Sequence, residues 1–167
     1  MKLLVVSDSH GSLEILKELK NRYGQEVNAM FHCGDSELPA DSEVMKGYIA
    51  VRGNCDHDDR YSYDIVEEIE GTRIFMTHGH RYDVKMSLSK LNDQANANGA
   101  DFVFFGHSHQ AGAEKIDHTL FLNPGSILLP RGRKEKTYAI VELDEEKTVV
   151  RFYNENHQEL TELKQVF

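Results

Sequence analysis

Five short apolar runs in the first two-thirds of the chain each lead, within a few residues, to side chains able to hold a metal ion. Residues 3–6 lead to Asp8 and His10, 29–31 to Asp35, 48–51 to Asn54, 74–76 to His78, and 102–105 to His107 and His109. Short apolar runs bounded by polar residues read as buried strands. In α/β sheets, ligands gather outside the carboxyl ends of the strands. A chain that ends five strands on oxygen and nitrogen donors is therefore expected to bring those ends to one polar locus.

The local spacing agrees. Asp8 and His10 are two residues apart, as are His107 and His109, so in an extended segment each pair shares a face. Glycine directly precedes three of the donors, in Gly34-Asp35, Gly53-Asn54 and Gly106-His107. Glycine accepts turn conformations and lets backbone approach closely, which a crowded metal centre requires. Taken singly these residues say little, because an aspartate can cap a helix and an asparagine can make a turn. Their joint placement at strand ends is what points to a metal site.

The rest of the chain supplies the frame. Leu13, Leu16 and Leu19, with Ile15, predict a helix that starts after Ser12 as N-cap and stops near Gly24. A second helix is expected over 84–97, closed by Gly99. Beyond residue 110 the pattern turns to strands at 113–116, 119–122, 138–143 and 149–153, the last two forming a hairpin. The tail over 155–167 has no clear period. Two sheets packed face to face, with helices outside, fit this order.

Composition narrows the function. A chain of 167 residues suits one domain, and no apolar run approaches the roughly 20 residues that span a bilayer. The amino-terminal apolar run is too short for a signal-peptide core, and two cysteines, Cys33 and Cys55, imply no disulfide framework, so the cytoplasm is the expected location. Lys and Arg number 19 against 28 Asp and Glu, a net charge of −9. That balance argues against nucleic acid held on a basic surface. It leaves room for a small phosphorylated substrate, because bound cations invert the local charge of an acidic pocket. The sequence has no Gly-x-Ser-x-Gly elbow and no Cys-x5-Arg loop, so no side-chain nucleophile is signalled.

The ordered motifs Asp8-Ser-His10, Gly34-Asp35, Gly53-Asn54-Cys55-Asp56, Thr77-His78-Gly79-His80 and Gly106-His107-Ser108-His109 resemble the calcineurin-like metallophosphoesterase superfamily, in particular its small bacterial and archaeal phosphodiesterases. The likeness extends to Asn123-Pro124-Gly125-Ser126 and Pro130-Arg131. It implies an α/β fold, a four-layer αββα sandwich of two mixed β-sheets flanked by helices, with residues 1–167 as a single metallophosphoesterase domain. By the same resemblance, one metal is held by Asp8, His10, Asp35 and His109 and the other by Asp35, Asn54, His78 and His107. Asp35 then bridges, with two oxygens to place between two cations. Ligation by oxygen and nitrogen alone admits Mn2+, Ni2+, Fe2+, Zn2+ or Co2+, and Mn2+ is the expected ion.

The expected reaction is phosphodiester hydrolysis by a metal-activated water, with two cations about 3.5–4 Å apart clamping the phosphoryl oxygens. Asp35, Asn54 and His80 are the side chains expected nearest the reacting atoms. Cys55 stands where many members carry a histidine that helps the leaving group depart, and a neutral thiol is a poor general acid. Cys55 otherwise reads as a small buried side chain, Asp56 as a supporting residue, and His57, Arg81 and Arg131 as solvated. His32 is expected in or beside a strand, and His118 and His157 at the surface. The competing readings are a non-catalytic, protein-binding scaffold of the same fold, as in a eukaryotic retromer subunit, a phosphomonoesterase, or a nuclease. Exposed strand edges in the carboxyl-terminal half would suit a homodimer.

Overall fold

The computed structural model describes residues 1–167. In it, β1 (Lys2–Val6) is buried on both faces because each of its alternating side chains meets a different layer. Leu3 and Val5 enter the core between the two sheets, whereas Leu4 and Val6 pack under α1 (Leu13–Tyr23). A continuous apolar run is what a strand covered on both faces needs.

β1 runs parallel to β2 (Ala29–His32), which runs parallel to β3 (Tyr48–Ala50). On its other side β1 pairs antiparallel with β9 (Thr137–Leu143), followed by β10 (Thr148–Asn154) and β11 (Gln165–Val166), giving the order β11-β10-β9-β1-β2-β3. The second sheet has parallel β5 (Thr72–Thr77), β6 (Phe102–Phe104) and β8 (Thr119–Asn123) at its centre. Antiparallel β4 (Asp64–Ile69) and β7 (Gly112–Ile116) form its edges. α2 (Ser89–Asn98) covers its outer face through Leu91 and Ala95, which pack with Phe75, Val103 and Phe121. Helix, sheet, sheet and helix are thus the four layers, and six parallel strands end at one side of the molecule. No helix is long and apolar enough to cross a membrane.

Several elements differ from the sequence expectation. The second helix begins at Ser89, not at 84, because Val84 is held in a turn against Gly79, where an added Cβ would lie 2.8 Å from a Val84 methyl. Ser12 occupies the N-cap of α1 without a side-chain capping bond. β4 was not anticipated; its glutamates Glu67 and Glu68 mask the apolar alternation of an exposed edge. The tail forms a 3-10 turn at Thr161–Leu163 and then β11.

Phe104 is fully buried, and its ring meets that of Phe31 edge-on across the two sheets, with centroids 5.2 Å apart. Phe104→Ala is expected to cost about 3–5 kcal/mol of unfolding free energy in a denaturant titration. Glu114→Ala, on an exposed part of β7, should stay within about 0.5 kcal/mol.

Candidate metal centre

The backbone carries the strand pairing past the strand ends, and this fixes the donor-bearing turns to one another. Asp8 N–H donates to the Gly34 carbonyl at 3.1 Å, His10 N–H to that of Asp35 at 3.0 Å, and Gly106 N–H to that of His78 at 3.0 Å. The sheets are joined there as well: His107 N–H donates to Asp8 Oδ2 at 3.2 Å, and Ser126 Oγ donates to the Asp8 carbonyl at 2.8 Å. These bonds leave the side chains at the first turn after each strand pointing into a common space.

Asp8 is completely buried. Its Oδ2 accepts from Ser7 Oγ at 2.6 Å, whereas its Oδ1 has no hydrogen-bond donor. Around Oδ1 stand Nε2 of His109 at 3.1 Å, of His78 at 3.8 Å and of His10 at 3.9 Å. The opposite nitrogens of these rings are all committed. Nδ1 of His78 faces the Cys33 carbonyl at 2.7 Å, that of His109 the Leu129 carbonyl at 2.7 Å, and that of His10 a Glu37 carboxylate oxygen at 3.1 Å. Carbonyls and carboxylates only accept, so each Nδ1 carries the hydrogen and each neutral ring turns a lone pair toward Oδ1. His78 Nε2 also lies 3.2 Å from Asp35 Oδ2 and 3.1 Å from Asn54 Oδ1. Lone pairs facing lone pairs in a buried site call for cations between them, and the donor set fits divalent ions.

Three groups of possible ligands have their donor atoms within 4.8 Å of one another: Asp8, His10 and His109; His10, Asp35 and Cys55; and Asp8, Asp35 and His78. Asn54 joins through its contact with His78. His107 stands farther out, its ring centroid 5.1 Å from that of His78. All seven anticipated residues therefore gather at one place. Five of them, Asp8, His10, Asp35, His107 and His109, have φ between 42° and 67°. The left-handed region costs a side-chain-bearing residue about 1–2 kcal/mol. Such strain collects at functional sites. Gly53 and Gly106 permit the crowding: a Cβ on Gly53 would lie 2.0 Å from Asp35 Oδ1, and one on Gly106 would lie 2.1 Å from Ser7 Oγ.

The neighbours take distinct parts. Asp56 is a buried clamp, accepting from Asp35 N–H at 2.8 Å, Gly53 N–H at 2.7 Å and Glu37 N–H at 2.7 Å. His32 lies within β2 with both ring nitrogens bonded, to Ser9 Oγ at 2.8 Å and Gly34 N–H at 3.2 Å. Cys55 is half-buried at the centre itself; its N–H holds Asp35 Oδ1 at 2.8 Å, and Asn54 Nδ2 approaches its sulfur at 3.4 Å. It is thus not the merely packed residue expected, because the turn that presents Asn54 also turns Cys55 inward. Burial, then the nearby Asp35, push its thiol up to about 11. His80 stands on the site wall, its ring 5.4 Å from that of His78, with a buried Nδ1 that has no partner. His57 is exposed, and Arg81 is held by Tyr63 at 4.8 Å and Asp64 at 3.6 Å. Arg131 is exposed, its N–H donating to the His109 carbonyl at 3.1 Å. His157, expected at the surface, instead has a side chain only 10% exposed, bonded to Glu18 at 2.8 Å and the Tyr138 hydroxyl at 2.9 Å. Glu18 and Tyr138 come from α1 and β9, so no local pattern reveals that contact.

Comparison with known proteins gives a consistent picture. A family model for the calcineurin-like phosphoesterase superfamily domain matches residues 1–146. The probable metallophosphoesterase YsnB of Bacillus subtilis is 40% identical over 164 residues, covering 98% of this chain and 97% of that protein. The phosphodiesterase YfcE of Escherichia coli K12 is 29% identical over 170 residues, covering 86% and 89% of the two chains. A crystal structure of a predicted phosphoesterase from Streptococcus pneumoniae superposes with a TM-score of 0.97 at 40% identity, over 99% of this chain and 96% of that one.

The histidines give the metal-free protein a characteristic pH response. Contact with Asp8 holds His109 above its ordinary value. Burial works against charge on His78, but the hydrogen bond to Asp35 and the field of Asp8 raise it overall. Burial pushes His32 and His107 down to about 4. Below the ordinary histidine value of about 6.5 the unfolded chain binds the extra protons through His32 and His107, so stability rises with pH from about 4 to about 6.5. Above it the folded chain holds more protons on His78 and His109, so stability falls as pH rises through their raised values. Melting temperatures in chelator should therefore peak near pH 6.5, and added divalent metal should remove the alkaline decline. A melting temperature that climbs steadily to about pH 8.5 in chelator would contradict this balance of protons.

Proposed function

The chain belongs to the calcineurin-like phosphoesterase superfamily, and on that premise we propose that it is a phosphodiesterase for small phosphate esters, working with two divalent metal ions. The observation that carries this reading is the donor-free, buried Asp8 Oδ1, ringed by three imidazole nitrogens at 3.1–3.9 Å. One ion is assigned to Asp8, His10, Asp35 and His109, and the other to Asp35, Asn54, His78 and His107. Asp35 would be the shared ligand, the bridge between the two ions; its Oδ1 accepts the Cys55 N–H at 2.8 Å and its Oδ2 lies 3.2 Å from His78 Nε2. Mn2+ is the expected ion, and residues 1–167 act as one phosphoesterase domain.

Bound divalent cations supply Lewis-acid polarisation of phosphoryl oxygens and a water-derived nucleophile at neutral pH. The residues of the chain orient the substrate and manage its departure. Asn54 is the exposed edge of the cluster, and His80 stands on the wall beside it, its ring 5.4 Å from that of His78, where it would face the ester. Cys55, with its thiol near 11, holds its proton too tightly to be an efficient general acid at neutral pH. Esters whose leaving groups depart without protonation, such as aryl phosphodiesters, are therefore the expected substrates.

Turnover of a panel of aryl mono- and diesters by chelated protein, with Mn2+, Ni2+, Zn2+ or Mg2+ restored, tests this function. Asp35→Asn is expected to lower diester hydrolysis by more than the roughly 10–100-fold typical of losing a supporting residue. Wild-type hydrolysis by Asp35→Asn with both metals bound would refute the bridge. Absence of turnover with every ion would favour a non-catalytic scaffold.

A further inference from the structure

His10 differs from the other histidines of the centre in what fixes its orientation. His78 and His109 direct Nδ1–H at main-chain carbonyls, whose place is set by the fold. His10 directs its Nδ1–H at a side chain, Glu37 Oε1, at 3.1 Å. Its Nε2, buried and without a partner, is thereby aimed at Asp8 Oδ1. Glu37 is itself tightly placed: its φ is 56°, and its N–H donates to Asp56 Oδ1 at 2.7 Å. The same Asp56 carboxylate holds Asp35 N–H at 2.8 Å. The carboxylate that orients His10 therefore hangs from the clamp that fixes the bridging aspartate.

We propose that Glu37 is a positioning residue for His10, on which binding of the ion assigned to Asp8, His10 and His109 depends, while the ion assigned to Asn54, His78 and His107 does not. This rests on the two-ion reading above. The reason is geometric and electrostatic. A metal-bound histidine whose far nitrogen is held by a carboxylate is locked in tautomer and ring angle, and loss of such a partner typically costs 10–100-fold in metal affinity. Neither His78 nor His109 loses its anchor when Glu37 is changed, because their acceptors are backbone. The Glu37 side chain is 38% exposed, so solvent screens part of its charge and the hydrogen bond carries more of the effect.

Calorimetric titration of chelator-stripped full-length protein with Mn2+ tests the proposal, with Co2+ absorption spectra as a second readout of the ligand field. Wild type should show two binding events. Glu37→Ala should weaken one by about 10–100-fold and leave the other nearly unchanged. Glu37→Gln, which keeps an acceptor for the His10 N–H, should recover most of the loss and alter the Co2+ spectrum less. Melting curves in chelator verify that each variant is folded, and Glu37→Gln keeps the comparison usable if Glu37→Ala is not. Equal weakening of both events, unchanged affinities in Glu37→Ala, or no recovery in Glu37→Gln would overturn the role of Glu37. Fewer than two events in the wild type would instead overturn the two-ion reading on which it rests.

Discussion

A carboxylate oxygen shut away from water must be met by positive charge or by hydrogen-bond donors, and Asp8 Oδ1 has neither from the neutral side chains around it. The imidazoles of His10, His78 and His109 have each given their one hydrogen to another acceptor, so they present only lone pairs. Leaving a buried charge uncompensated costs several kcal/mol. Protons can fill the gap, which is why His78 and His109 are held above their ordinary value. Divalent ions fill it better, since each can accept several of these lone pairs at once.

The rest of the molecule is arranged to keep those lone pairs where they are. Parallel strands from two sheets end on the same side, and the chain leaves them through turns that stay hydrogen-bonded to each other. Five donors in left-handed backbone and two glycines with no room for a Cβ record how closely those turns approach. The double-sheet core, with Phe31 and Phe104 in contact across it, supplies the burial that offsets this strain. Asp56 shows how a charged residue can serve without touching a substrate. Its carboxylate gathers three N–H groups and so sets the distance between the loops bearing Asp35 and Asn54.

Much of this was legible in the sequence because the centre is assembled from strand ends, and a strand end is a local event. The apolar runs located β1, β2, β3, β5 and β6, and the glycines before Asp35, Asn54 and His107 marked the tight approaches. What escaped either lacks a clear local pattern or depends on partners far along the chain. β4 is an edge whose glutamates hide its alternation, and the pairing of β11 with β10 has no periodic signal. His157 looked solvated because Glu18 and Tyr138 reach it from other elements. The place of Glu37 beside His10 was likewise invisible, 27 residues away in sequence. A GDSE tetrapeptide says nothing by itself about which imidazole its glutamate will face.

The central claim is that the lone pairs around Asp8 and Asp35 are held for two cations. Anomalous diffraction from crystals soaked in Mn2+ tests it most directly. The account predicts two peaks per chain, both next to the Asp35 carboxylate, one beside Asp8, His10 and His109 and the other beside Asn54, His78 and His107. A single peak, or none next to Asp8 Oδ1, would contradict it.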